Sequence, residues 1–203
     1  MPVMIYDPLY EQHVRAERER WPNERDEVWE GVLVVPALPN FEHQIMVTDL
    51  ALAFTAVIDR KAGDLALAGA NVSDRDANWM SNYREPDVLV ILHTNPAKRS
   101  VTHLVGGPDV AVEIASPSED PRLKLDFYAK VNTRELLIVD RDPWALELYQ
   151  LQGGVLVSVG TSDEANQLVV ASGALPLTFQ LRPGALRPTI HITHTVTGQV
   201  WTA

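Results

Sequence analysis

Apolar positions along the chain fall into two periods, and the switches between them predict most of its elements. From His43 to Arg60, apolar residues at 46, 47, 50, 54, 57 and 58 keep the three-and-four spacing of an amphipathic helix, with Gly63 as its stop. Residues 8 to 20 are charged with scattered apolar positions and predict an exposed helix ending near Pro22. VWEGVLVVP (28 to 36) is rich in β-branched residues and predicts a strand, or a hairpin turning at Gly31. Three nearly continuous apolar runs, Asp87 to Leu92, Val110 to Ile114 and Leu136 to Val139, have the pattern of central strands buried on both faces.

Between the last two runs lies a helix, Pro121 to Val131, with Asp120 as its cap and Pro121 in the first helical position. A strand, a helix and a second strand in that order make a crossover. Its two strands are then expected to be parallel neighbours, with an intervening strand as the other arrangement. After Asp140 come short strands and turns: WALELYQL, a Gly153-Gly154 turn, VLVSVG, and TIHITHTVTGQVW turning at Gly198. These predict an antiparallel flank, and the proline-rich stretch 176 to 188 reads as a surface loop. The fold class is therefore α/β.

Composition narrows the picture. The 203 residues, 46% hydrophobic, fit one domain (1–203) with a full-sized core. With no cysteine, thiolate metal sites, disulfides and cysteine nucleophiles are excluded. No signal-like start and no apolar run of about 18 residues occurs, so no membrane partner and a cytoplasmic location are expected. The net charge of -10 opposes non-specific attraction to a polyanion. Against it stand small basic clusters at Arg60-Lys61, Lys98-Arg99 and Arg122 to Lys130.

Three polar residues interrupt or border the apolar strands. Glu113 sits inside VAVEIAS, where an ionised carboxylate costs several kcal/mol unless it is paired or ligated. Asp87 opens the VLVIL run. Two Pro-Asp pairs compete for partnership with Glu113. Asp109, on the same strand face, lies about 13 Å away along the strand, too far to share one ion, whereas Asp87 can stand about 5 Å away on a neighbouring strand, suitable for Mg²⁺. Asp120, Lys124 and Tyr128 repeat every fourth residue along one side of the helix, beside an apolar stripe of Leu123, Phe127 and Val131. Lys124 thereby reaches toward the strand end, where its compact charge can orient water or neutralise a phosphate. His191 and His194 point to opposite strand faces and read as structural, and no Walker, dinucleotide or H-E-x-x-H pattern is present.

EPDVLVI, GGPDVAVEIASPSEDPRLKLDFYA and ELLIVD together resemble the Uma-type family of restriction-endonuclease-like proteins within the PD-(D/E)XK superfamily. The resemblance is strongest over residues 27 to 140. It implies a restriction-endonuclease-like core, a central mixed sheet flanked by helices. It also implies Asp87 and Glu113 as ligands of Mg²⁺ or Mn²⁺, with the Ile114 carbonyl assisting, and Lys124 as the catalytic lysine. The superfamily's usual lysine lies two residues after the second acid, where this chain has Ala115, and the family's helix-borne lysine fills that gap. A second departure is the segment 131 to 137, where the family commonly shows Gly-Val and an aromatic pair. Glu30 and His43 match early positions of the family pattern and are ancillary candidates, Glu30 as an additional carboxylate; Tyr128 matches later. The expected activity is Mg²⁺-dependent hydrolysis of phosphodiester bonds in DNA by a homodimer, since cleavage of both strands suits two-fold symmetry. The alternative is a nuclease-fold binding or regulatory module without turnover.

Overall fold

The computed structural model describes residues 3–20, 25–116 and 119–203. In chain order, β1 (Val3–Ile5) and α1 (Pro8–Arg20) precede the hairpin strands β2 (Glu27–Trp29) and β3 (Val32–Val35), then α2 (Phe41–Val57). Next come β4 (Leu65–Ala68), β5 (Asn71–Ser73), β6 (Tyr83–Arg84), β7 (Val88–Ile91), β8 (Lys98–Arg99), β9 (His103–Val105) and β10 (Val110–Ile114). A 3₁₀ turn (Pro121–Lys124) leads into α3 (Leu125–Lys130). The rest is strand: β11 (Glu135–Arg141), β12 (Trp144–Gln152), β13 (Val155–Asp163), β14 (Val170–Ala171), β15 (Leu177–Arg182), β16 (Thr189–His194) and β17 (Val200–Thr202).

These strands form three sheets, ordered β1-β3-β2-β6-β5-β9-β8, β13-β12-β11-β10-β7-β4 and β14-β15-β16-β17. The middle one is mixed: β10 runs parallel to β11 and antiparallel to β7. The crossover therefore joins adjacent parallel strands, with no strand between them. All three apolar runs lie in the interior of this sheet, as their two-sided burial requires.

Alternation divides the central sheet between two cores. Val88, Val90, Val110, Val112 and Ile114 pack with Met46, Leu50 and Phe54 of α2 and with Leu177, Phe179 and Leu181 of the C-terminal sheet. Leu89, Ile91, Ala111, Leu136 and Ile138 face the other way, onto Phe127, Tyr128 and Val131. Glu113 shares the parity of Ala111, so it points to the α3 side.

Helix α2 begins two residues before the predicted start because Asn40 caps it, its side chain accepting from His43 N at 2.9 Å. It stops at Val57, with Ile58 already extended, so Gly63 belongs to the following turn. The predicted end of α1 near Pro22 lies outside the described residues.

Two expectations are corrected. The stretch 176 to 188 is a loop only after Arg182; before it, β15 buries Leu177, Phe179 and Leu181 in strict alternation between Thr178 and Gln180. Leu123 does not join the stripe of Phe127 and Val131 but is 60% exposed. It sits in the 3₁₀ turn, whose three residues per turn rotate it away from the α-helical face that carries Phe127.

Candidate active site

Continuing the β7–β10 register one step beyond the Val88–Val112 pair sets Asp87 opposite Glu113. The pairing is locked from the main chain: Ile114 N donates to Asp87 Oδ2 at 2.8 Å. The other Asp87 oxygen, Oδ1, lies 3.2 Å from both the Arg25 guanidinium and His43 Nε2. His43 arrives there because Asn40 starts α2 at a fixed place beside the strand ends. Its Nδ1 is buried without a partner.

Lys124 closes the arrangement from the opposite side. Asp120 accepts from Arg122 N at 3.1 Å, Pro121 opens the 3₁₀ turn, and the turn delivers Lys124 into the interior, 7% exposed. Its ammonium donates to Glu113 Oε2 at 2.8 Å and to Glu27 Oε1 at 2.9 Å. One turn later, Tyr128 donates its hydroxyl to Glu113 Oε1 at 2.5 Å. Both oxygens of Glu113 are thus held by the crossover helix, and the four-residue repeat of Lys124 and Tyr128 is what aims them at one carboxylate.

Glu27 was not singled out by sequence reasoning, which favoured Glu30. Glu30 and Gly31 form the two-residue turn of the β2–β3 hairpin, with φ of 46° and 88°, the conformation that matches the twist of paired strands. A side chain at that tip projects outward. Glu30 is 64% exposed and pairs with Arg75 at 3.5 Å and Lys130 at 3.1 Å, away from Asp87. Three residues earlier, Glu27 is buried, its carboxylate accepting also from Glu85 N at 2.9 Å and from Trp29 Nε1 at 2.7 Å. The turn rule alone, applied to EVWEG, moves attention from the exposed acid to the strand-borne one.

Glu27, His43, Asp87, Glu113 and Lys124 line a cleft together with Glu85 and Glu119, with a cavity of about 40 Å³. That volume admits a cation and water-sized groups and excludes a base or sugar. Five carboxylates, Glu27, Glu85, Asp87, Glu113 and Glu119, line the cleft, and the electrostatics follow. Burial pushes the Glu113 carboxyl up to about 8, against the pull of Lys124 and with the help of Glu27 and Asp87. Glu119 is raised by burial too. Although burial alone would lower it, the Lys124 ammonium is held above its ordinary range by Glu113 and Glu27. Behind the site Arg84 is buried between the rings of Trp29 and Phe127, 4.5 and 4.3 Å from their centroids, and spends its hydrogen bonds on main-chain carbonyls and Asn82.

Among the described residues no three His, Asp or Glu side chains are gathered as a metal cage. The donor set nevertheless fits a hard divalent cation: paired carboxylates beside a small polar cavity, whose oxygens now accept from Lys124, His43 and Arg25. Asp109 is elsewhere, closing the far end of the sheet through Leu92 N, Asn95 and Arg134. The basic clusters are largely spent as well, Lys98 on Asp76, Arg122 on Asp140 and Glu147, and Lys130 on Asp74 and Glu30.

A family model described as "Uma2: Putative restriction endonuclease" matches residues 11–184. Among solved structures, a crystal structure of "a putative nuclease belonging to DUF820" from Anabaena variabilis is similar with a TM-score of 0.58, over 73% of this chain and 82% of that one. The two sequences are 16% identical, so the likeness is one of fold, and it agrees with the restriction-endonuclease-like architecture. No curated protein matches the chain. No helix among the described residues is long and apolar enough to cross a membrane.

Proposed function

The chain belongs to the Uma2 family, and from that membership and the cleft we propose that it is a divalent-metal-dependent endonuclease hydrolysing phosphodiester bonds in DNA. The observation that carries the reading is the meeting of Asp87, Glu113 and Lys124 at one strand end, beside a small cavity that admits a cation and water-sized groups.

Asp87 and Glu113 would hold Mg²⁺ or Mn²⁺, with the Ile114 carbonyl assisting, and the cation would polarise a phosphoryl oxygen and ease ionisation of water. The chain's own residues do the rest. His43 and Ile114 N fix Asp87, and Tyr128 fixes Glu113. Glu27 anchors Lys124 so that the ammonium faces the cleft, where it offsets negative charge growing on the phosphate. Water forms the new P–O bond and gives up its proton to solvent as the ester P–O bond breaks, and the departing oxygen takes up a proton from solvent.

A second reading, a nuclease-fold binding or regulatory module without turnover, is favoured by the net charge of -10 and by the pairing of surface cations with acids. Plasmid nicking at low salt with Mg²⁺, Mn²⁺ or EDTA separates the two. Metal-dependent cleavage that disappears in Asp87→Asn supports the enzyme; no cleavage by folded wild type under any metal supports the module.

A further inference from the structure

The six sheet edges of this fold are protected unequally. Edge strands β1, β8, β14, β17 and β4 run for only 3, 2, 2, 3 and 4 residues, and β8 consists of Lys98 and Arg99. Shortness and charge are the usual ways of keeping an edge from pairing with another chain. The sixth, β13, is 9 residues long and carries a charge only at its last residue, Asp163.

Residues 148 to 162, which span most of β12 and β13, contain no charged side chain and no proline, in a chain of net charge -10. On β13, Val155, Val157 and Val159 are 57%, 41% and 42% exposed, while Leu156 between them turns into the α3 core. Among the described residues, main-chain groups of 155 to 159 bond only within the β12 ladder, which leaves the outer edge unsatisfied. Leu168 and Val169 add exposed apolar surface, and Leu168 closes on Gly160 at the end of the free stretch.

We propose that β13 is the contact strand of a homodimer, pairing antiparallel with β13 of a second copy across a two-fold axis and continuing the central sheet through both subunits. The occupant follows from the edge's chemistry. An acidic chain meets its own copy without repulsion only where both faces are uncharged, and a two-fold antiparallel pairing asks each strand to complement itself, which a run of valines with free backbone groups does.

The geometry also bears on the site. From β10 to β10 of the partner is seven strand spacings, roughly 34 Å at about 4.8 Å each, near the length of one turn of duplex DNA. This spacing argument rests on the nuclease reading; the interface does not.

Light scattering at tens of micromolar tests it without any activity. Wild type is expected to show a two-chain mass, and Val157→Lys and Val155→Lys a one-chain mass with unchanged circular dichroism. Val101→Lys, at a fully exposed site elsewhere, is expected to stay two-chain. Hydrogen exchange guards against misfolded variants: in wild type, amides of 155 to 159 should lose protection on dilution while β10 keeps its own. A one-chain wild type, which leaves the edge to some other partner, overturns the proposal. So do two-chain lysine variants, or exchange at 155 to 159 that ignores concentration. Cleavage results leave each of these outcomes where it stands.

Discussion

Lys124 donates to Glu113 at 2.8 Å from the crossover segment, so the lysine proposed for catalysis reaches the acid from the helix side and not from position 115 of the strand. Position 115 is a buried alanine. A strand lysine would be fixed by β10 alone, whereas this one depends on the Asp120 cap and on Glu27 of a different sheet.

Lys124→Met keeps the stem and deletes the charge. Metal-dependent cleavage is expected to fall by at least about 100-fold in kcat, the scale of removing one preorganised charge donor. Glu27 and Glu113 are left facing each other without a cation, so the variant should also melt lower, and adding Glu113→Gln should recover part of that loss. Urea melts of the two single variants and the double variant measure the coupling. Independent, additive effects would mean that the ion pair does not organise the site.

The two acids of the hairpin should separate cleanly. Glu27→Gln loosens the lysine's anchor and is expected to lower kcat by at least about 10-fold. Glu30→Gln alters an exposed turn and should leave stability within about 0.5 kcal/mol and cleavage unchanged. Parallel turnover assays of the two variants decide, and the reverse ranking would return the ancillary role to Glu30.

On the helix, Phe127→Ala removes a core ring that also stacks on Arg84 and should cost about 3–5 kcal/mol, while Leu123→Ser should cost no more than about 0.5 kcal/mol. Equal costs in a denaturant melt would mean that the first turn is α-helical and that Leu123 packs.

The pH dependence of the metal-free protein has a definite sign. Burial raises Glu113 from an ordinary 4.5 to about 8, so between those values the folded chain holds a proton that the unfolded chain has released. The associated stability is fully present below about 4.5 and is lost as pH rises through about 8. Melting in EDTA should therefore show wild type falling relative to Glu113→Gln across that window. A difference that is flat, or of opposite slope, contradicts the assignment.

How much of this was legible in the sequence depends on the length of the pattern behind each element. The three buried runs, α2 and the strand-helix-strand unit were readable because each repeats its period several times or carries a cap, as Asp120-Pro121 does. Asp87 and Glu113 could be named because they border or interrupt apolar strands, and Lys124 because the four-residue repeat set it beside the helix's apolar stripe and the family resemblance pointed to it. What failed rested on single residues. Leu123 was misplaced because a 3₁₀ turn and an α turn look alike in sequence. Proline content hid β15, although Leu177, Phe179 and Leu181 alternate. Glu27 was passed over because its partner Lys124 lies 97 positions away in the sequence. The β13 edge was read as a strand, but that it lies open depends on the sheet order.

The central claim is that Asp87 and Glu113 form a divalent-cation site, and thermal melting tests it without knowledge of the substrate. The cation binds the folded site and not the unfolded chain, so Mg²⁺ or Mn²⁺ at about 100 times its dissociation constant should stabilise wild type by roughly 2.7 kcal/mol. Asp87→Asn should lose most of that gain. The substitution keeps the side-chain volume while removing one negative charge from a cleft lined by five carboxylates, so the lost metal response is read against each protein's own melt in EDTA. Melts of both proteins with EDTA and through a metal titration, at constant ionic strength, give the answer. A metal-dependent rise in wild type that is lost in Asp87→Asn is the predicted result; no rise in wild type, or the same rise in both, contradicts it.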